Sequence, residues 1–114
     1  MISITNEYGI YLYTEKIDMR KDIDGLCGVV KEALSQNPFK QKSIFIFQGR
    51  NPRMKKILIR EYDRFELTKI RLDQGRFIKP ITDGERTNGK ISWSDYVMLT
   101  EAVAVGETNV KFID

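Results

Sequence analysis

Hydrophobic and polar positions along the chain change period several times, and each change marks an element. Ile10-Tyr11-Leu12-Tyr13-Thr14 is β-branched and aromatic and predicts a strand. From Asp22 to Gln36 the apolar positions are Ile23, Leu26, Cys27, Val30, Ala33 and Leu34. Steps of three and four put them on one stripe of a helix. Asp22 is the expected N-cap, and Pro38 is the expected stop because it disfavours a helical residue before it. Gly25 and Gly28 are expected to let this helix pack closely on a sheet. Ile44-Phe45-Ile46-Phe47 has no alternation at all, the signature of a central strand covered on both faces.

Gly49-Arg50-Asn51-Pro52-Arg53 has turn chemistry, and strands are predicted over Lys56 to Tyr62 and Phe65 to Leu72, joined near Asp63-Arg64. Within the second of these, apolar parity moves from Phe65 and Leu67 to Ile70 and Leu72. A bulge or a short helical turn accounts for that. Arg76 to Ile81 predicts another strand, Thr82 to Lys90 a loop, and Val110 to Ile113 an edge strand or packed tail. Ser92, with Asp95 three positions on, predicts the start of a second helix whose apolar face is Tyr96, Met98, Leu99 and Val103. The sum is an α+β fold in a single domain spanning residues 1–114. It has a mainly antiparallel sheet of about five strands and two helices.

Composition narrows the chemistry. The 114 residues contain no histidine and one cysteine, Cys27. A histidine-based hydrolytic triad is therefore excluded, and a zinc site is disfavoured. No apolar run reaches the length of a membrane span, and Met1 to Asn6 lack the pattern of a signal peptide, which predicts a cytoplasmic protein without a membrane partner. Net charge is +3, but between Arg50 and Lys79 ten basic residues face four acids, so that stretch is +6 and the remainder −3. Such asymmetry points to an anionic partner.

Against this background one motif run stands out: Asp18-Met19-Arg20-Lys21, Asp24-Gly25-Leu26, Asn37-Pro38-Phe39, Ile44-Phe45-Ile46-Phe47, then Lys69-Ile70-Arg71-Leu72-Asp73-Gln74-Gly75-Arg76-Phe77 and Pro80. It resembles the accessory protein encoded by the second open reading frame of insertion-sequence-66 elements, the TnpB-type protein of those elements. The resemblance covers about Gly9 to Ala102, leaving 103–114 as a C-terminal extension. The chain departs from the family pattern at Arg60-Glu61, Arg64, Ile70 and Lys79. The resemblance implies a role in transposition beside a separate transposase, and supplies no biochemical activity.

Three constellations are candidates for nucleic-acid contact. Arg20 and Lys21 precede a helix N-terminus, a natural phosphate site, or pair locally with Asp18 and Asp22. Arg50, Arg53, Lys55 and Lys56 form a cationic turn that tracks a phosphate backbone, or a solvated hairpin tip. Arg71 and Arg76 flank Asp73 and clamp phosphate, or bridge Asp73 and pin a turn in which Gly75 supplies an unusual backbone angle. Asp18, Asp22 and Asp24 do not match a calcium loop and are expected to start the helix. Cys27 reads as a small core residue, and Tyr8, Tyr11 and Tyr13 as packing rather than base-stacking groups. No catalytic residue, metal site or cofactor is expected. Two functions follow: a non-catalytic accessory factor holding DNA on a basic face, or a module docking on the transposase or another element-encoded protein. The sequence sets no oligomeric state.

Overall fold

A computed structural model describes residues 4–82, 84–100 and 106–113. Strand β1 (Gly9–Ile17) leads into helix α1 (Ile23–Glu32), which returns the chain to β2 (Ser43–Gly49). A hairpin follows, β3 (Met54–Glu61) and β4 (Arg64–Arg71), then β5 (Lys79–Thr82), β6 (Asn88–Ile91), α2 (Trp93–Thr100) and β7 (Glu107–Val110). The main sheet has the order β4-β3-β2-β1-β6, and β5 pairs with β7 in a small second sheet. β1 and β2 run parallel, while the other neighbours in the main sheet are antiparallel. The α+β expectation holds, with the parallel β5–β7 pair as an addition.

The unalternating run in β2 is resolved by burial on both faces. Ile44 and Ile46 join Ile10, Leu12, Ile57, Ile59 and Leu99 in one cluster, and Phe45 and Phe47 join Leu26, Val30, Leu34 and Leu58 in another. Helix α1 covers the second face, and α2 reaches the first through Leu99. Tyr11 stacks on Phe45 with ring centroids 5.4 Å apart, and Tyr13 meets Phe47 edge-on, so these tyrosines serve packing. Tyr8 is buried too. Cys27 lies half-buried on α1, where burial pushes its thiol up.

Several boundaries differ from expectation. Asp22 occupies the N-cap position in extended conformation, but its side chain makes no cap hydrogen bond. The helix ends well before Pro38: Ser35 takes a φ of 54°, and the Gln36 N–H donates to the Val30 carbonyl at 3.1 Å. β3 and β4 pair without interruption from Met54↔Arg71 to Glu61↔Arg64, so there is no bulge. The parity change instead records an edge strand serving both layers: Phe65 and Leu67 pack on the α1 side, Ile70 on the other. Tyr62, first of the two turn residues, has a φ of 41°. β5 starts three residues later than the predicted strand. β6 lies mostly in the stretch expected to be a loop, because its hydrogen-bonding partner β1 is remote in sequence. The Ser92 hydroxyl accepts the Asp95 N–H at 3.1 Å, as a cap should. Leu99 is buried and Met98 exposed, and Val103 lies outside the described residues. β7 covers 107–110, and Ile113 makes only an isolated bridge to Lys90.

Neither helix glycine packs closely on the sheet. A Cβ at Gly25 meets only the Lys21 stem, and at Gly28 it meets nothing within 4 Å. Gly28 therefore only weakens the helix, so Gly28→Ala should stabilise the fold by roughly 0.5–1 kcal/mol. A urea titration showing a lower midpoint for the alanine variant would contradict this account.

Candidate nucleic-acid interface

The parallel pairing of β1 and β2 brings their carboxyl ends to the same edge of the sheet, Ile17 opposite Gly49. β3 begins there and β4 ends there, Met54 opposite Arg71. Segments 18–22, 50–53 and 72–76, far apart in sequence, are thereby collected at one end. Backbone and side-chain contacts tie them. The Met19 side chain packs on Gly49 so closely that a Cβ there would stand 2.7 Å away. Leu72 N–H donates to the Arg53 carbonyl at 2.9 Å and Phe77 N–H to the Pro52 carbonyl at 3.0 Å. Ligands of open α/β sheets favour the carboxyl ends of parallel strands, where loops diverge and leave room.

Six of the eight cations singled out in the sequence, Arg20, Lys21, Arg50, Arg53, Arg71 and Arg76, are exposed at this end. They are not equivalent. Arg20 is spent locally: its guanidinium pairs with both oxygens of Asp18, the shortest contact being 2.7 Å. That bond, a second from the Arg20 N–H, and the charge of nearby Arg50 hold the Asp18 carboxyl well below the usual range. Arg53 donates to the Asp73 carbonyl at 3.0 Å, and Asn51 accepts the Arg53 N–H at 2.9 Å, which fixes the turn and leaves the charge outside. The expected bridge from Arg71 or Arg76 to Asp73 is not formed: among the described residues no ion pair joins them. Gly75, at a φ of 73°, does supply the backbone angle that L side chains rarely adopt.

Lys55 and Lys56 stand elsewhere. β3 begins earlier than its sequence pattern suggested, so both lie inside a strand covered on both faces, one under each layer. Lys56 is buried on the α1 side and donates to the Lys21 carbonyl at 2.6 Å. Lys55, only 1% exposed, donates to the Leu99 carbonyl at 2.5 Å, with Nζ 4.5 Å from the Phe77 ring centroid. Lys69 lies outside the three sequence-defined constellations. It is exposed, two residues from Arg71 and on the same face of β4, a spacing that strand alternation makes legible.

At the far end of the sheet three cations are engaged. Lys42 pairs with Glu7 at 2.9 Å and Arg64 with Asp63 at 3.1 Å. Arg60 lies over the rings of Phe39 and Phe65 and donates to the Tyr62 carbonyl. Among the described residues no cluster of three or more acidic, cysteine or histidine side chains could hold a metal, and no helix is long and apolar enough to cross a membrane.

Burial pushes the Lys55 ammonium down to about 8 from its ordinary 10.5. Below pH 8 the charge is carried by folded and unfolded chains alike and its burial opposes folding in full. Between pH 8 and 10.5 the unfolded chain holds the proton that the folded chain releases, so stability gains with rising pH. Lys55→Met should therefore be more stable than the parent at neutral pH, by at most roughly 3 kcal/mol less the lost hydrogen bond to Leu99. That advantage should shrink as pH approaches 10.5. Unfolding curves for the two proteins across this range check it, and a constant difference would count against the assignment.

Comparison with known proteins gives the setting. The chain is 32% identical over 75 residues to a Sinorhizobium fredii protein named "Uncharacterized protein y4hO", the match covering 66% of this chain and 64% of that protein. No solved structure matches. The family model described as IS66 Orf2 like protein matches residues 8–109. The chain accordingly belongs to the IS66 Orf2-like family of insertion-sequence accessory proteins.

Proposed function

We propose that this protein is a non-catalytic accessory factor of insertion-sequence transposition that holds DNA against the cationic end of its main sheet. The observation that supports this reading is the convergence there of Lys21, Arg50, Arg53, Lys69, Arg71 and Arg76 from separate segments. Arg50, Arg71 and Arg76 form no ion pair among the described residues, whereas Lys42 and Arg64 at the other end do. Exposed cations on turns contact phosphate without reading bases, so recognition is sequence-tolerant. Strand cleavage and joining belong to the transposase in this scheme. Lys55 and Lys56 take no part in the contact, because both are buried.

A second reading, docking on the transposase, draws support from helix α2. Trp93 and Val97, one helical turn apart, and Met98 are exposed there, and aromatic and methionine side chains are favoured at protein interfaces.

Two measurements separate these readings. In a binding assay with double- and single-stranded DNA, including element ends, affinity should fall steeply with salt as counterions are released. Charge reversal at Arg50 and Arg71 should weaken binding at least tenfold and flatten the salt slope by about one unit per contact removed. Absence of binding to every DNA at low salt sinks the first reading. Co-purification with the transposase that is lost in Trp93→Ser with Val97→Ser supports the second.

A further inference from the structure

On the face of the main sheet opposite α1, a cavity of about 400 Å³ opens between the carboxyl ends of β1 and β2 and the strands β5 and β7. Four cations line it, each from a different segment: Lys16 at the end of β1, Lys55 in β3, Arg76 after β4, and Lys79 at the start of β5. Among the described residues Glu107 is the one carboxylate in the lining. Phe77 and Pro80 give it an apolar wall.

Lys55 makes this more than a surface groove. Its ammonium is buried with a single carbonyl acceptor and an aromatic face as its company, and no carboxylate neutralises it among the described residues. An unpaired buried charge opposes folding, and an apolar side chain of similar length would fill the same space. A buried positive charge beside exposed cations in one recess is an arrangement that favours an anion. The volume exceeds what a bare phosphate needs and lies within the range of small-ligand pockets. A recess also suits a terminal dianion, whereas the internal diesters of a duplex present themselves to an open surface.

We infer that this cavity binds a phosphomonoester carrying a sugar and base, through the exposed Lys16, Arg76 and Lys79, with the buried charge of Lys55 behind them. Two sources share that chemistry: a free nucleoside monophosphate and the phosphorylated end of a DNA strand. Arg76 and the loop residue Pro52 line the cavity, and both belong to the cationic end described above, so a strand held there has an end within reach. The inference does not rest on duplex binding.

The test uses the whole chain and two matched pairs of probes: adenosine monophosphate against adenosine, and a short single-stranded oligonucleotide with and without a terminal phosphate. In at least one pair the phosphorylated member should bind about tenfold more tightly, as charge-assisted hydrogen bonds to phosphate require. A preference confined to the oligonucleotide pair identifies a strand end as the source. A preference in the nucleoside pair identifies the free nucleotide. Arg76→Gln and Lys79→Gln, both at exposed positions that spare the core, should each reduce that preference several-fold. Lys69→Gln should weaken both oligonucleotides equally and leave the preference intact. No preference in either pair overturns the pocket, however well oligonucleotides bind. Nucleotide preference without any oligonucleotide binding overturns the DNA reading and leaves the pocket standing.

Discussion

Burial of β2 on both of its faces is the constraint from which the rest of this structure follows. Four consecutive apolar side chains, Ile44 to Phe47, alternate between two clusters, and each is worth roughly 1.5–3 kcal/mol when removed from water. A strand of that kind needs a partner on each edge and a cover on each side. β1 and β3 supply the edges, α1 one cover, and α2 with Tyr8 and Val110 the other. The parallel alignment of β1 with β2 is made possible by the intervening α1 crossover, since adjacent parallel strands cannot be joined by a hairpin.

That alignment also makes the cationic end. Parallel strands place both carboxyl ends, and hence the segments after Ile17 and after Gly49, on one side of the molecule. The β3–β4 hairpin then brings the residues after Arg71 to the same place. Once gathered, the cations divide by their surroundings. Arg20 is matched by an adjacent carboxylate, Arg53 braces a turn through a carbonyl, and Arg50, Lys69, Arg71 and Arg76 face outward. The two cations nearest the core, Lys55 and Lys56, are turned to opposite layers by strand alternation and bond to carbonyls rather than to a ligand surface. The outer set and the recess around Lys55 are therefore neighbouring features built on adjoining loops, with Arg76 common to both.

The chain by itself determined the elements whose signal is local. The apolar stripe of α1, the two-sided apolar run of β2, the turn residues before Met54 and the Ser92 cap each follow from the chemistry of a few neighbouring residues. The unequal charge between Arg50 and Lys79 was equally plain, as were the motifs that mark the family. What only the tertiary structure decided depends on partners distant along the chain. β6 forms because β1 offers an edge to Asn88–Ile91, and nothing within those four residues announces a strand. Helix α1 ends at Glu32, and the positive φ of Ser35 rather than the downstream proline turns the chain away. Above all, six cations in three separate segments became one end of a sheet, while Lys55 and Lys56 left it. Sequence spacing fixes which residues are charged, but exposure is a property of layers packed from both sides.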